Sequence, residues 1–93
     1  MLAPNTIPLP SKGTVTRKET RGTLLFQVET DEMYFLPEKA FSFFRLCDGT
    51  RTVEQIEQLL AHYQPEFATE EGREQIEHFL EELAARGLVE LWR

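Results

Sequence analysis

One cysteine in 93 residues, Cys47, leaves no internal disulfide to build, so a small extracellular domain stapled by bridges is excluded. Histidine is equally scarce. His62 and His78 fall on different helical stretches and form no metal-ligand pattern. There is no Gly-rich phosphate loop, no Ser or Cys nucleophile elbow and no isolated carboxylate dyad. No apolar run approaches the ~18 residues of a membrane span, and the N-terminus lacks the apolar stretch of a signal peptide. The expectation is a cytoplasmic protein with no catalytic residues, no cofactor, no metal and no membrane partner.

What remains is an ordinary globular composition, 41% hydrophobic and 28% charged. A chain this short makes one domain and buries ~60–65% of the surface its unfolded form exposes. Its charge is unevenly spread. Residues 1–30 hold four basic against two acidic side chains, net +2; residues 31–93 hold six against fourteen, net −8. An acidic half of this kind repels polyanions and suits a basic partner segment.

Pro4, Pro8 and Pro10 mark residues 1–12 as a flexible N-terminal arm, extended rather than part of a regular element, ahead of a domain over 13–93. Two strands follow, Thr14–Lys18 and Thr23–Glu29, joined by a turn at Arg21-Gly22. In the second, Leu24, Phe26 and Val28 alternate with Leu25, Gln27 and Glu29 and give it an apolar face. Thr30-Asp31-Glu32 is a hairpin connection to a third strand, Met33–Leu36. Pro37 suits the first turn of a helix. That helix carries Ala40, Phe43, Phe44 and Leu46 and runs to about Leu46. A second helix presents Val53, Ile56, Leu59, Leu60 and Tyr63 on one side. Gln64–Ala68 is a loop. Thr69 caps a third helix whose stripe is Ile76, Phe79, Leu80, Leu83 and Ala84, and Glu82 and Arg86 form an i, i+4 pair on it. Gly87 stops that helix, leaving Leu88–Trp92 as a short apolar tail that either pairs or simply packs. Three strands and then three helices predict an α+β fold, winged helix-turn-helix-like, with a three-stranded antiparallel sheet.

Between the first two helices lies Cys47-Asp48-Gly49-Thr50-Arg51-Thr52. Gly49 accepts the positive φ of a sharp helix exit. Thr52 has the chemistry of an N-cap, and Gln55 three residues on completes a capping box. Cys47 sits at a helix C-terminus, where the dipole disfavours a thiolate, and is expected to be packed and inert. A DNA-binding winged helix fits the element order. Its reading helix, however, would carry Glu70, Glu71, Glu74, Glu77, Glu81 and Glu82 against Arg73 and Arg86, which removes the phosphate term that dominates such binding.

The Cys-Asp-Gly turn with its capped Thr52-Val53 and Ile56 resembles the PqqD-like family of small peptide-recognition domains, the RiPP recognition elements. Leu24-Leu25-Phe26, Tyr34-Phe35-Leu36, Phe79-Leu80 with Leu83, and Arg86-Gly87-Leu88-Val89 extend the resemblance over roughly residues 14–91. Pro37 in place of a common Asn, the Pro65 loop and the absence of an early Asp-Val pair in the last helix differ from the quinone-cofactor branch. The resemblance implies a non-catalytic adaptor that binds the leader of a ribosomally made precursor peptide as an added strand. Met33, Tyr34, Phe35 and Leu36 would supply the strand edge. Val28, Ile76, Phe79, Leu80 and Leu83 would line or support the groove, with Gln75, His78 and Glu82 on its polar rim. The implied pathway is lasso-peptide biosynthesis, with a leader peptidase and then a cyclase as enzyme partners. A PqqD-type chaperone for a radical enzyme and a DNA-binding regulator are the alternatives.

Overall fold

The computed structural model describes residues 2–92, in the order β1 (Ile7–Pro10), β2 (Thr14–Glu19), β3 (Gly22–Gln27), β4 (Glu32–Pro37), α1 (Glu38–Phe44), α2 (Val53–Tyr63), a 3-10 turn (Pro65–Ala68), α3 (Glu70–Ala85) and β5 (Val89–Trp92). The fold is α+β. β2, β3 and β4 form an antiparallel meander with β3 in the centre, and the three helices follow it.

Register decides which side of this meander is core. Leu25 lies opposite Tyr34 and Thr23 opposite Leu36, while Leu24 pairs with Phe35 and Phe26 with Met33. Side chains alternate across a strand, so Leu25, Thr23, Gln27 and Leu36 share the buried face. The face holding Leu24 and Phe26, the more apolar one in sequence, is turned outward, with both residues half-buried. Three consecutive apolar residues, Leu24-Leu25-Phe26, carry no period of their own, and the helices pack on Leu25.

Burying Gln27 in their place requires partners. Its Nε2 donates to Gly87 O at 2.8 Å and lies 3.3 Å from Lys12 O, while its Oε1 accepts from Glu29 N. One amide thus ties the β1–β2 loop, the end of β3 and the exit of α3 together. Gly13, at φ +90°, leaves room for it, since a Cβ there would collide with Gln27 Oε1. Replacing Gln27 with Leu strands those carbonyls, and the expected loss is about 2–4 kcal/mol. A urea titration that returned the wild-type midpoint would show that the backbone groups find other partners.

The N-terminal segment corrects the expectation of an arm without regular structure. β1 pairs antiparallel with β5, Ile7 opposite Trp92 and Pro10 opposite Val89, in a second, two-stranded sheet. Proline is tolerated in so short an edge strand because its missing N–H can face away from the ladder. The same segment closes the start of α2. Val53 N donates to Thr6 O at 2.7 Å, Glu54 N to Pro4 O at 3.1 Å, and Gly49 N to Pro8 O at 3.0 Å. Thr6 and Pro8 are buried. Of the two expectations for the apolar tail, pairing is the one the structure shows, over Val89–Trp92.

The turn between α1 and α2 is built as its residues dictate. Asp48 accepts from Thr50 N, and Gly49 has φ +85°. Thr52 Oγ1 accepts from Gln55 N while Thr52 N donates to Gln55 Oε1, a complete capping box. α1 stops at Phe44, short of Leu46, because the last turn tightens. Leu46 N and Cys47 N bond to the carbonyls of Phe43 and Phe44, three residues back. Thr69 caps α3 by accepting from Gly72 N. Gly72 meets the 3-10 turn so closely that a Cβ would fall 2.6 Å from Phe67 Cα. The core joins Leu25 and Leu36 of the sheet to Phe43, Phe44, Val53, Ile56, Leu60, Ile76, Leu80 and Leu83 of the helices, with Leu88 and Val89 below. Tyr63, expected on the inner stripe of α2, is instead exposed at the helix end.

Candidate peptide-binding edge

β4 pairs with β3 on one side, and no described strand pairs with its other side. Every second residue of such an edge presents an unused N–H and C=O, a template for one more strand. The two edges of the meander differ in chemistry. β2 reads Thr-Val-Thr-Arg-Lys-Glu, and its Arg17, Lys18 and Glu19 are the kind of charged side chains that keep an edge unpaired. Between its ends β4 reads Met33-Tyr34-Phe35-Leu36, with no charge at all.

The pleat divides these four residues. Tyr34 and Leu36 point toward the helices; Leu36 is fully buried and Tyr34 half-buried. Met33 and Phe35 point the other way and remain 56% and 46% exposed. Val28 lies past the end of β3, exposed in the turn to β4 rather than against α3.

α3 runs beside the Tyr34 side of this edge. The Arg86 guanidinium stacks over the Tyr34 ring at 5.1 Å and forms ion pairs with Glu32 of β4 and Glu82 of α3, each at 3.5 Å. His78 lies one turn back, 4.0 Å from Glu82. Partial burial and the neighbouring Glu82 carboxylate raise the Tyr34 phenol above its ordinary pKa of 10.0, with Arg86 opposing them, so the ring is neutral and its hydroxyl keeps its proton. Tyr34, Glu82, Arg86 and Glu32 thus form one contact cluster beside the free edge. On α3, Phe79 is half-buried and meets Phe43 with ring centroids 5.6 Å apart, while Gln75 and His78 are exposed.

Ile76, Leu80 and Leu83, by contrast, have almost no exposed surface and belong to the core beneath. They can support a groove, but they cannot line one without rearrangement. Arg86 and Glu32 join Tyr34 and Glu82 in the cluster beside the edge without being selected by sequence spacing. The i, i+4 relation of Glu82 to Arg86 is visible in the sequence, but the contacts of Arg86 with Tyr34 and Glu32 join residues far apart in the chain.

Cys47 is buried, its Sγ donates to Phe43 O, and burial with the adjacent Asp48 pushes its thiol up to about 12. Among the described residues no group of His, Cys, Asp and Glu side chains is arranged to hold a metal ion. No helix among them is long and apolar enough to cross a membrane.

Away from the edge, Glu57 on α2 is partly buried, and its Oε2 has no hydrogen-bond partner among the described residues. Desolvation, reinforced by Glu77, raises its carboxyl above the ordinary 4.5. A carboxyl raised on folding adds its stability at low pH and loses it as pH climbs through the folded value. Glu57→Gln should therefore raise the unfolding temperature at pH 7 and give no gain below about pH 4. A gain of equal size at both pH values would trace the effect to packing instead.

Residues 22–89 match the family model described as coenzyme PQQ synthesis protein D (PqqD). Neither a curated protein nor a solved structure matches the chain.

Proposed function

The chain belongs to the PqqD family, as a PqqD-like RiPP recognition element, and from that premise we propose that it is a non-catalytic adaptor which binds the leader of a ribosomally made precursor peptide by strand addition. The free edge of β4, uncharged from Met33 to Leu36 and next to the Tyr34–Glu82–Arg86 cluster, is the observation that carries this reading. The groove it implies lies between this edge and α3, with Tyr34, Phe79, Glu82 and Arg86 on its sides. Backbone pairing alone is weak. Ordering a peptide costs ~1–2 kcal/mol per residue, while each new hydrogen bond returns a net ~0.5–1.5 kcal/mol. Apolar side chains of the leader must therefore enter the groove, where full burial contributes ~1.5–3 kcal/mol each. Glu82, Glu32 and the acidic surface of α3 favour Lys or Arg in the ligand.

The pathway we favour is lasso-peptide biosynthesis in the cytoplasm, with the bound precursor handed to a leader peptidase and then to a cyclase. Pro37 and the turn at Pro65, which depart from the pattern of the quinone-cofactor branch, support it over delivery to a radical enzyme.

Titration of the purified chain with a synthetic leader from the precursor gene beside its own, and in parallel with duplex DNA, tests the adaptor. Saturable leader binding without DNA binding is expected. DNA binding without leader binding would replace the adaptor with a winged-helix regulator.

A further inference from the structure

A strand added to β4 has two faces, and only one of them meets α3. We propose that the peptide is also read on the outer face of the sheet, where Met33 and Phe35 form a second apolar subsite for its alternate side chains. The inference rests on strand addition at β4 and specifies the ligand further. It requires apolar residues at both odd and even positions of the bound segment, not a single apolar stripe.

Three observations carry it. Met33 and Phe35 sit on the strand that borders the free edge and stay half exposed. In a paired strand, directly opposed side chains on one face stand about 4.5–5.5 Å apart, so residues of an added strand would cover Met33 and Phe35 as closely as Phe26 and Leu24 do from the β3 side. The ladder of apolar pairs on this face is already two strands wide, with Met33 opposite Phe26 and Phe35 opposite Leu24. A third apolar strand continues it. Across the sheet the two rows end differently: Phe26 faces Val15, while Leu24 faces Arg17, which is ion-paired to Glu19 on the same strand. The outer face thus carries Arg17 and Glu19 beside Val15 on β2 but no charge at Met33 and Phe35 on β4, which points to an occupant at the β4 side and to a strand with apolar outward residues.

The test uses the intact chain and short synthetic peptides of one strand's length. Leu, Val or Tyr occupy the odd positions, the even positions or both, with Ser and Lys elsewhere. Peptides apolar at both sets should bind about tenfold or more tightly than either single-stripe set. Met33→Ser and Phe35→Ser should each weaken the double-stripe peptide by about threefold to fivefold and leave the single-stripe affinity that faces the groove unchanged. Val15→Ser, on the same face but at the β2 edge and 49% exposed, should change neither. Both β4 positions are half exposed, so thermal unfolding of each variant should stay close to that of the parent.

Double-stripe peptides that bind no better, or that bind equally well to the Met33 and Phe35 variants, would overturn the outer subsite while leaving strand addition intact. Failure of every peptide to bind would overturn strand addition itself. Sedimentation as a dimer that Phe35→Ser dissociates would assign this face to a second copy and also overturn the proposal.

Discussion

Deletion of residues 2–10 is expected to destabilise the chain by roughly 3–6 kcal/mol, a large part of the ~5–15 kcal/mol available to a small domain. The deletion removes the β1 side of the ladder with β5, both carbonyls that cap Val53 N and Glu54 N, and the bond from Gly49 N to Pro8 O. Each hydrogen bond contributes a net ~0.5–1.5 kcal/mol, and an unsatisfied amide at a helix start adds a cost of similar size. The burial of Thr6 and Pro8, and the cover they give to neighbouring core, is lost as well. Urea unfolding of the truncated chain measures the sum. A midpoint within error of the full chain would mean that residues 2–10 are an accessory arm after all.

Phe79→Ala should weaken leader binding by about 30-fold, the loss of a ~2 kcal/mol anchor. Phe79 is half-buried, on the side of the proposed groove, with its ring centroid 5.6 Å from that of Phe43. Its truncation therefore also lowers stability, by about 1–3 kcal/mol, less than the full cost of a core aromatic. Leu83→Ala provides the contrast. Leu83 is fully buried, so its truncation should cost about 2–5 kcal/mol of stability and change affinity little once the protein is kept well below its unfolding midpoint. Isothermal titration and thermal melts on both variants separate groove from core. If Leu83→Ala weakens binding as much as Phe79→Ala in folded protein, the peptide must reach deeper than the surface described.

Part of the candidate edge is legible in the amino-acid sequence. Spacing and resemblance select Glu82 and the β4 residues, of which Tyr34 lies on the α3 side with Glu82 and Arg86, while Met33 and Phe35 point to the other face. Val28 does not join them, because a strand's period does not reveal where the strand ends; it falls in the turn. Arg86 escapes a reading by spacing as a groove residue because its partners Tyr34 and Glu32 are more than fifty residues away in sequence.

Local rules act within the sequence itself. The capping box at Thr52 and Gln55, the positive φ of Gly49, the Thr69 cap and the Glu82–Arg86 pair all form between residues at most four apart. A backbone has few ways to satisfy such short-range donors and acceptors, so the sequence alone determined these features, together with the order of three strands and three helices. Non-local pairing decided the rest. Leu24-Leu25-Phe26 could bury either side, and only packing against the helices selected Leu25, drew Gln27 inward and left Met33 and Phe35 outside. β1 became a strand because β5 came to lie beside it, and its carbonyls met the bare amides of α2. Nothing in residues 1–12 specifies that encounter, because its free energy comes from groups at the far end of the chain.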